Sequence, residues 1–162
     1  MSSTKSVLKT LPSELRESLI QAMSSVCETS LFAYTEMAPP ALVEAIPGEP
    51  RWFQIEVAFI GPMQGTVAVH VPVPLATDLF SAFLGFDEND VFNNAELHDM
   101  IGELGNMVCG TWLTTLGGRE CFDLAHPDVT VEDAPVPDER TIVMAVNDRP
   151  VLVRADIEQG AP

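Results

Sequence analysis

Basic residues are scarce in this chain. Lys and Arg together number 8 against 24 Asp and Glu, which leaves a formal charge of −16 at pH 7 over 162 residues. A surface this acidic is repelled by nucleic-acid phosphates and by anionic lipid, so neither is the expected partner; a protein or a small molecule is. Cysteine is scarce as well. Cys27, Cys109 and Cys121 are odd in number, widely spaced and form no CxxC pair. That pattern fits reduced thiols better than a disulfide framework, and all three are expected to behave as small buried hydrophobes. No apolar run reaches the ~18 residues of a spanning helix. Residues 1–11 carry Lys5 and Lys9 but no apolar segment, so they do not read as a signal peptide. The expected location is the cytoplasm. Linkers, low-complexity tracts and internal repeats are also lacking, so residues 1–162 read as a single domain with its core over about 13–158.

What is present is apolar content close to half of the chain, enough to build one packed core. Ser13 is placed as a helix N-cap, with Glu14 and Glu17 in the first turn. From Leu15 to about Tyr34, Leu15, Leu19, Ile20, Met23, Val26, Cys27 and Phe32 recur at helical spacing and predict one long helix. Ala38 to Pro50 holds four prolines and a glycine and reads as an irregular crossing. Arg51 to Ile60 and Thr66 to Val73 read as strands joined by the turn-rich Gly61 to Gly65. Leu75 to Leu84 predicts a short helix ended by Gly85, and Asn94 to Leu116 a second long one stopped at Gly117 and Gly118. Short β-prone pieces follow at Cys121 to Leu124 and Val129 to Val131. A hairpin closes the chain: Thr141 to Val146, Asn147 to Pro150 as connector, then Val151 to Ile157. The fold class is therefore α+β, a mostly antiparallel sheet with two long helices and one short helix packed on it.

The second long helix is unusual. At roughly 100° per residue, Leu97, Met100, Ile101, Leu104, Met107, Val108 and Trp112 fall on one arc that should face the sheet. The opposite arc holds Asp99, Gly102, Glu103, Gly105, Asn106, Cys109 and Gly110. Three glycines in a helix interior cost about 1 kcal/mol each relative to alanine, out of a usual stability of ~5–15 kcal/mol. Either a partner needs a bare surface beside Glu103 and Asn106, or the glycines permit close packing within the protein itself. Both readings stay open at this stage. An Asn has no useful pKa, but its amide accepts from a water and donates to an oxyanion, so it can position a nucleophile. With a carboxylate one turn away, such a pair suits phosphoryl transfer, where alignment and charge stabilisation dominate. It is too sparse to be a complete active site.

The run from Asp99 to Gly110, DMIGELGNMVCG, resembles the D/S-x3-E-x2-N signature of the CheC/CheX/FliY phosphatases of bacterial chemotaxis. Val26 to Thr29, the hairpin from Phe59 to Val67 and the short helix from Leu75 to Leu84 are similar to the matching segments of CheX-like domains. The resemblance spans about Leu15 to Val131. One signature is present rather than the pair of CheC-type chains, since Glu28 is followed three positions on by Leu31. The resemblance implies hydrolysis of the aspartyl phosphate on phosphorylated CheY-like receiver domains. Asn106 would orient the attacking water and Glu103 would pair with the receiver's active-site lysine. Asp99, Gly102 and Gly110 would support the helix or the interface. The chain would bind no cofactor of its own, Mg²⁺ would belong to the receiver, and a homodimer is implied.

Two rival readings are set beside it. A non-catalytic interaction module of the same fold, of flagellar-switch or adaptor type, would share the architecture without the reaction. A metal-dependent hydrolase would use His70, His98 and His126, although these are not at ligand spacing. His98 is expected at the boundary of the helix stripe and His70 on the strand face opposite the valines. Trp112, Met100 and Met107 are expected in the core, and Arg119 near the helix C-terminus. The acidic Asp87, Glu88 and Asp90 are candidates for tuning partner choice.

Overall fold

A computed structural model describes residues 7, 8, 10–84, 94–117 and 121–158. Gly85, Asp87, Glu88, Asp90, Gly118 and Arg119, and the readings attached to them, lie outside the described residues. The elements run α1 (Ser13–Ser30), β1 (Thr35–Met37), α2 (Pro40–Glu44), a 3-10 turn (Ile46–Gly48), β2 (Trp52–Ile60), β3 (Gly65–Pro72), α3 (Val73–Leu84) and α4 (Asn94–Gly117). The chain continues with β4 (Asp123–Leu124), β5 (Asp128–Glu132), β6 (Ile142–Val146) and β7 (Arg149–Ile157). The strands form one seven-stranded antiparallel sheet ordered β1-β6-β7-β3-β2-β4, with β5 also on β2.

Period-two alternation sorts the side chains onto the two faces of this sheet. Phe53, Ile55, Val57 and Phe59 of β2 and Val67, Val69 and Val71 of β3 enter the main core with Val151 and Val153 of β7. Helices α1, α3 and α4 cover that face, contributing Leu19, Met23, Val26, Leu75, Ile101, Leu104 and Trp112. The Trp112 indole donates to Ser18 Oγ at 3.0 Å, so the ring that fills the core also ties α4 to α1. Trp52 goes the other way. With Ile46 and Leu152 it makes a small second cluster on the outer face, under Val43, Ala134 and Val143, and its indole donates to Glu49 O at 2.8 Å.

Several boundaries differ from expectation. Ser13 sits within the first helical turn, the capping position is Pro12, and no side chain caps it. Helix α1 ends at Ser30, and Phe32 adopts a left-handed φ of 54° and is 80% exposed rather than buried. The chain then turns out to form the unforeseen edge strand β1. The proline-rich crossing contains α2, whose Pro40 suits a first helical position where no N–H partner is needed. Both hairpins form, with shifted bounds: Val73 opens α3 instead of ending β3, and Arg149 and Pro150, read as connector, are strand residues paired with Val146 and Ala145, which leaves Asn147 and Asp148 as the turn. In the second, Asn147 and Asp148 both have positive φ, 49° and 64°, as a tight primed turn requires. Asn147 also clamps β1: its backbone N–H donates to Tyr34 O and its Oδ1 accepts from Tyr34 N, both at 2.8 Å. Among the described residues no helix is long and apolar enough to cross a membrane.

Candidate functional site

Helix α4 lies on β2 and β3 with one face buried and one stripe open. Leu97, Ile101, Leu104, Val108, Cys109, Trp112 and Leu113 are the buried hydrophobic positions. The open stripe runs through Asp99 and Glu103, which are exposed, and Asn106 and Gly110, which are half-buried. Their spacings of four, three and four residues place them one above another, and a pair three apart has its Cβ atoms roughly 5–6 Å from each other. Among the described residues neither the Glu103 nor the Asn106 side chain has a hydrogen-bond or ion-pair partner. Both side chains are thus uncommitted.

The outward arc expected from the helical wheel is too wide. Gly102, Gly105 and Cys109 are buried, not exposed. A methyl group at Gly105 would collide with Ile55 Cγ2 and lie 3.2 Å from Val57 Cγ2, so this glycine exists to let the helix backbone sit on β2. At Gly102 a methyl would meet Pro127 and Val129 side chains at 3.5 Å, an ordinary contact. Among the described residues nothing lies within 4 Å of where a methyl on Gly110 would stand. The close-packing reading therefore holds for Gly105, while Gly110 alone of the three leaves a bare outward surface. Met100 and Met107 correct the expectation from the other side. They are half-buried, flanking the stripe instead of filling the core.

Three hollows meet at Glu103. The largest, about 830 Å³, runs between α4 and the segment Phe122–Pro127, with Asn106, Gly110 and Thr114 on one wall and Asp123 and His126 on the other. A smaller one of about 240 Å³ is bounded by Asp99, Gly102, His98, His126 and Pro127. The third, about 310 Å³ and apolar, is lined by Leu31, Phe80, Met100 and Met107. The pair stands on a ridge with a polar groove on one side and an apolar one on the other.

The histidines do not converge. His70 is on the outer face of β3, opposite Gln54 and Leu152, while His98 and His126 lie on the helix side. His98 is a boundary residue, its ring edge-on to Phe53 with centroids 5.3 Å apart. Burial holds the His70 imidazole below the ordinary histidine pKa, with Arg154 adding to the shift and Glu132 opposing it. Among the described residues no three His, Cys, Asp or Glu side chains are grouped to hold a metal. Cys27 and Cys109 are buried, and burial pushes both thiols up to about 12. Cys121, expected to be buried, is exposed.

The family model described as "Chemotaxis phosphatase CheX" matches residues 54–139, more than half of the chain and the part that carries β2, β3, α3, α4, β4 and β5. The chain belongs to the CheX chemotaxis phosphatase family. No curated protein matches it by sequence. Among solved structures it is similar to the chemotaxis protein CheX from Vibrio vulnificus, at 19% identity and a TM-score of 0.67, covering 90% of this chain and 97% of that one. It is similar to a chain of the CheX–CheY–BeF3–Mg²⁺ complex from Borrelia burgdorferi, at 22% identity and a TM-score of 0.60, covering 90% and 98%. FliY from Thermotoga maritima is 11% identical with a TM-score of 0.58, covering 94% and 93%. At these identities the likeness speaks for the fold, and the site rests on its own residues.

Proposed function

We propose that this chain hydrolyses the aspartyl phosphate of phosphorylated CheY-like receiver domains, with Glu103 and Asn106 as its contribution to the reaction. The observation that carries the reading is the uncommitted pair one helical turn apart, Glu103 exposed and Asn106 half-buried, beside the bare surface at Gly110. The family match and the existence of a CheX–CheY complex in a relative support a receiver as the partner. Asn106 accepts a hydrogen bond from the attacking water and donates toward a phosphoryl oxygen, which holds the water in line. The water oxygen bonds to phosphorus, the bond to the receiver's carboxylate oxygen breaks, and inorganic phosphate leaves. Glu103 meets the receiver's active-site lysine and fixes the approach. Mg²⁺ is assigned to the receiver. Asp99, Gly102 and Gly110 are assigned to support of the helix and its interface: Gly102 lies beside Pro127 and Gly110 leaves clearance.

The test is the decay of a phosphorylated CheY-like receiver with wild type, Glu103→Ala and Asn106→Ala. Losing a group that orients the nucleophile costs on the order of 10²-fold in rate, so Asn106→Ala is expected to fall by about that factor with its circular dichroism unchanged. Wild-type protein that leaves the decay rate untouched would favour the non-catalytic module. An Asn106→Ala protein as active as wild type would remove the assigned role.

A homodimer built on β1 belongs to the same reading. This strand pairs with β6 on one side, and Phe32, Tyr34 and Met37 are exposed around it. A free edge beside exposed apolar side chains is a template for a second strand. Sedimentation velocity is expected to show a dimer that Met37→Lys weakens; a wild-type monomer at micromolar concentration would dismiss it.

A further inference from the structure

The groove beside Glu103 has a second wall, and its construction is specific. Strands β4 and β5 both pair with β2, Leu124 opposite Phe59 and Asp128 opposite Glu56. Four steps along the edge strand from Leu124 to Asp128 thus face three along β2 from Phe59 to Glu56. One residue is inserted: Ala125, His126 and Pro127, which belong to neither strand, span the stretch that Ala58 and Val57 cover on β2. This is a β-bulge, a device that re-aims a side chain at a sheet edge.

Its consequence is legible in the alternation. Leu124 and Val129 both pack on the core side, next to α4. Counting forward from Leu124 puts His126 on that side, and counting back from Val129 puts Pro127 on it too. Without the inserted residue the two counts would conflict. The bulge is held at both ends. Ala125 N–H donates to Ala58 O at 2.9 Å, and Pro127 packs over Gly102. Proline is tolerated there because a bulged position gives up a ladder hydrogen bond. His126 is therefore carried on the anchored stretch between β4 and β5, across the groove from Glu103 and Asn106, and it lines both polar hollows with them.

Charge gives the position its meaning. Among the described residues the other titratable groups on these two hollows are Asp99, His98 and Glu103 from α4 and Asp123 from β4, and no described Lys or Arg lines either one. The whole chain carries −16, and a phosphorylated receiver presents an anionic group. His98 is half-buried against the Phe53 ring, whereas His126 is exposed. Resting on the phosphatase reading for its partner, we propose that His126 is a receiver-binding residue. Its bulge-mounted imidazole meets the phosphoryl-bearing surface opposite Glu103 and Asn106, and its protonated form tightens docking without entering the chemistry.

The test measures binding apart from turnover. The full chain is titrated with a CheY-like receiver carrying beryllofluoride and Mg²⁺, at about pH 6 and about pH 8. Wild type is expected to bind roughly five- to tenfold tighter at the lower pH. His126→Gln is expected to bind at both values as wild type does at the higher, and His126→Lys to hold tight binding at both. In turnover assays kcat of both variants stays within about twofold of wild type while KM follows the binding constant. The proposal is overturned if His126→Gln keeps the wild-type pH dependence, if kcat falls while binding does not, or if wild type fails to bind. Binding that depends on His126 without any turnover would remove the phosphatase reading and leave this one standing.

Discussion

Replacing Gly105 by alanine sets two effects of opposite sign against each other. Alanine in a helix interior is favoured over glycine by about 1 kcal/mol. Against that, the added methyl would press on Ile55 Cγ2, with Val57 Cγ2 at 3.2 Å and Ile55 Cβ at 3.4 Å. Both residues are fully buried on β2, which is paired on each side, so neither has room to withdraw. Overpacking of this kind costs about 1–3 kcal/mol, and rigid neighbours place this case toward the upper end. The net expectation is a loss of about 2 kcal/mol, which lowers the melting temperature by about 4–8 °C in a domain of this size. Gly110→Ala is the internal control. Its methyl meets open space, so the helix term acts alone and melting rises by about 2–4 °C. Calorimetry or thermal circular dichroism on the two variants reads both signs. A Gly105→Ala protein at least as stable as wild type would refute the packing explanation, and with it the account of how α4 seats on the sheet.

Two further outcomes follow. In native protein at about pH 8 a disulfide-exchange reagent should modify Cys121 quickly and leave Cys27 and Cys109 untouched, since burial raises both thiols to about 12; three equivalents should react after denaturation. Fast reaction of all three in the folded state would contradict the core. His70 is held below its ordinary pKa mainly by burial, so the unfolded chain binds more protons there. Its contribution is complete above the unfolded histidine pKa and is lost as pH falls through the lower folded value. Urea midpoints taken between about pH 7 and about pH 5 should therefore drop less for His70→Gln than for wild type, and equal slopes would deny the residue that role.

Local signals reached far into this fold. The two hairpins were legible because period-two alternation and turn residues, Asn147 and Asp148 above all, state both the strands and their connection. The extent of α4 was legible from apolar residues recurring at roughly 100° per residue, and so was the stripe Asp99, Glu103, Asn106 and Gly110. What failed was the width of that stripe. A glycine has no side chain to declare which way it faces, so Gly102 and Gly105 were grouped with the open side until β2 and Pro127 showed what they touch. Met100 and Met107 failed in reverse, because an apolar side chain flanking a groove looks the same in a wheel as one beneath it. Phe32 looked like one more helical turn, although the helix had already ended at Ser30 and the chain reversed through a positive φ. His126 drew no distinguishing signal. Its orientation depends on one residue inserted against β2, and an insertion of that kind exists only in strand register, which is a property of two segments together.

The two tryptophans sit on opposite sides of one sheet, Trp112 beneath α1 and α4 and Trp52 beneath the 3-10 turn and Ala134. They are a matched pair of built-in fluorophores. A Trp52→Phe protein emits from the helical side, and a Trp112→Phe protein from the small outer cluster. If that thin outer cover peels away before the helices do, the two emission spectra will shift red at different denaturant concentrations. The chain thus carries its own means of showing whether its two layers melt together or in turn.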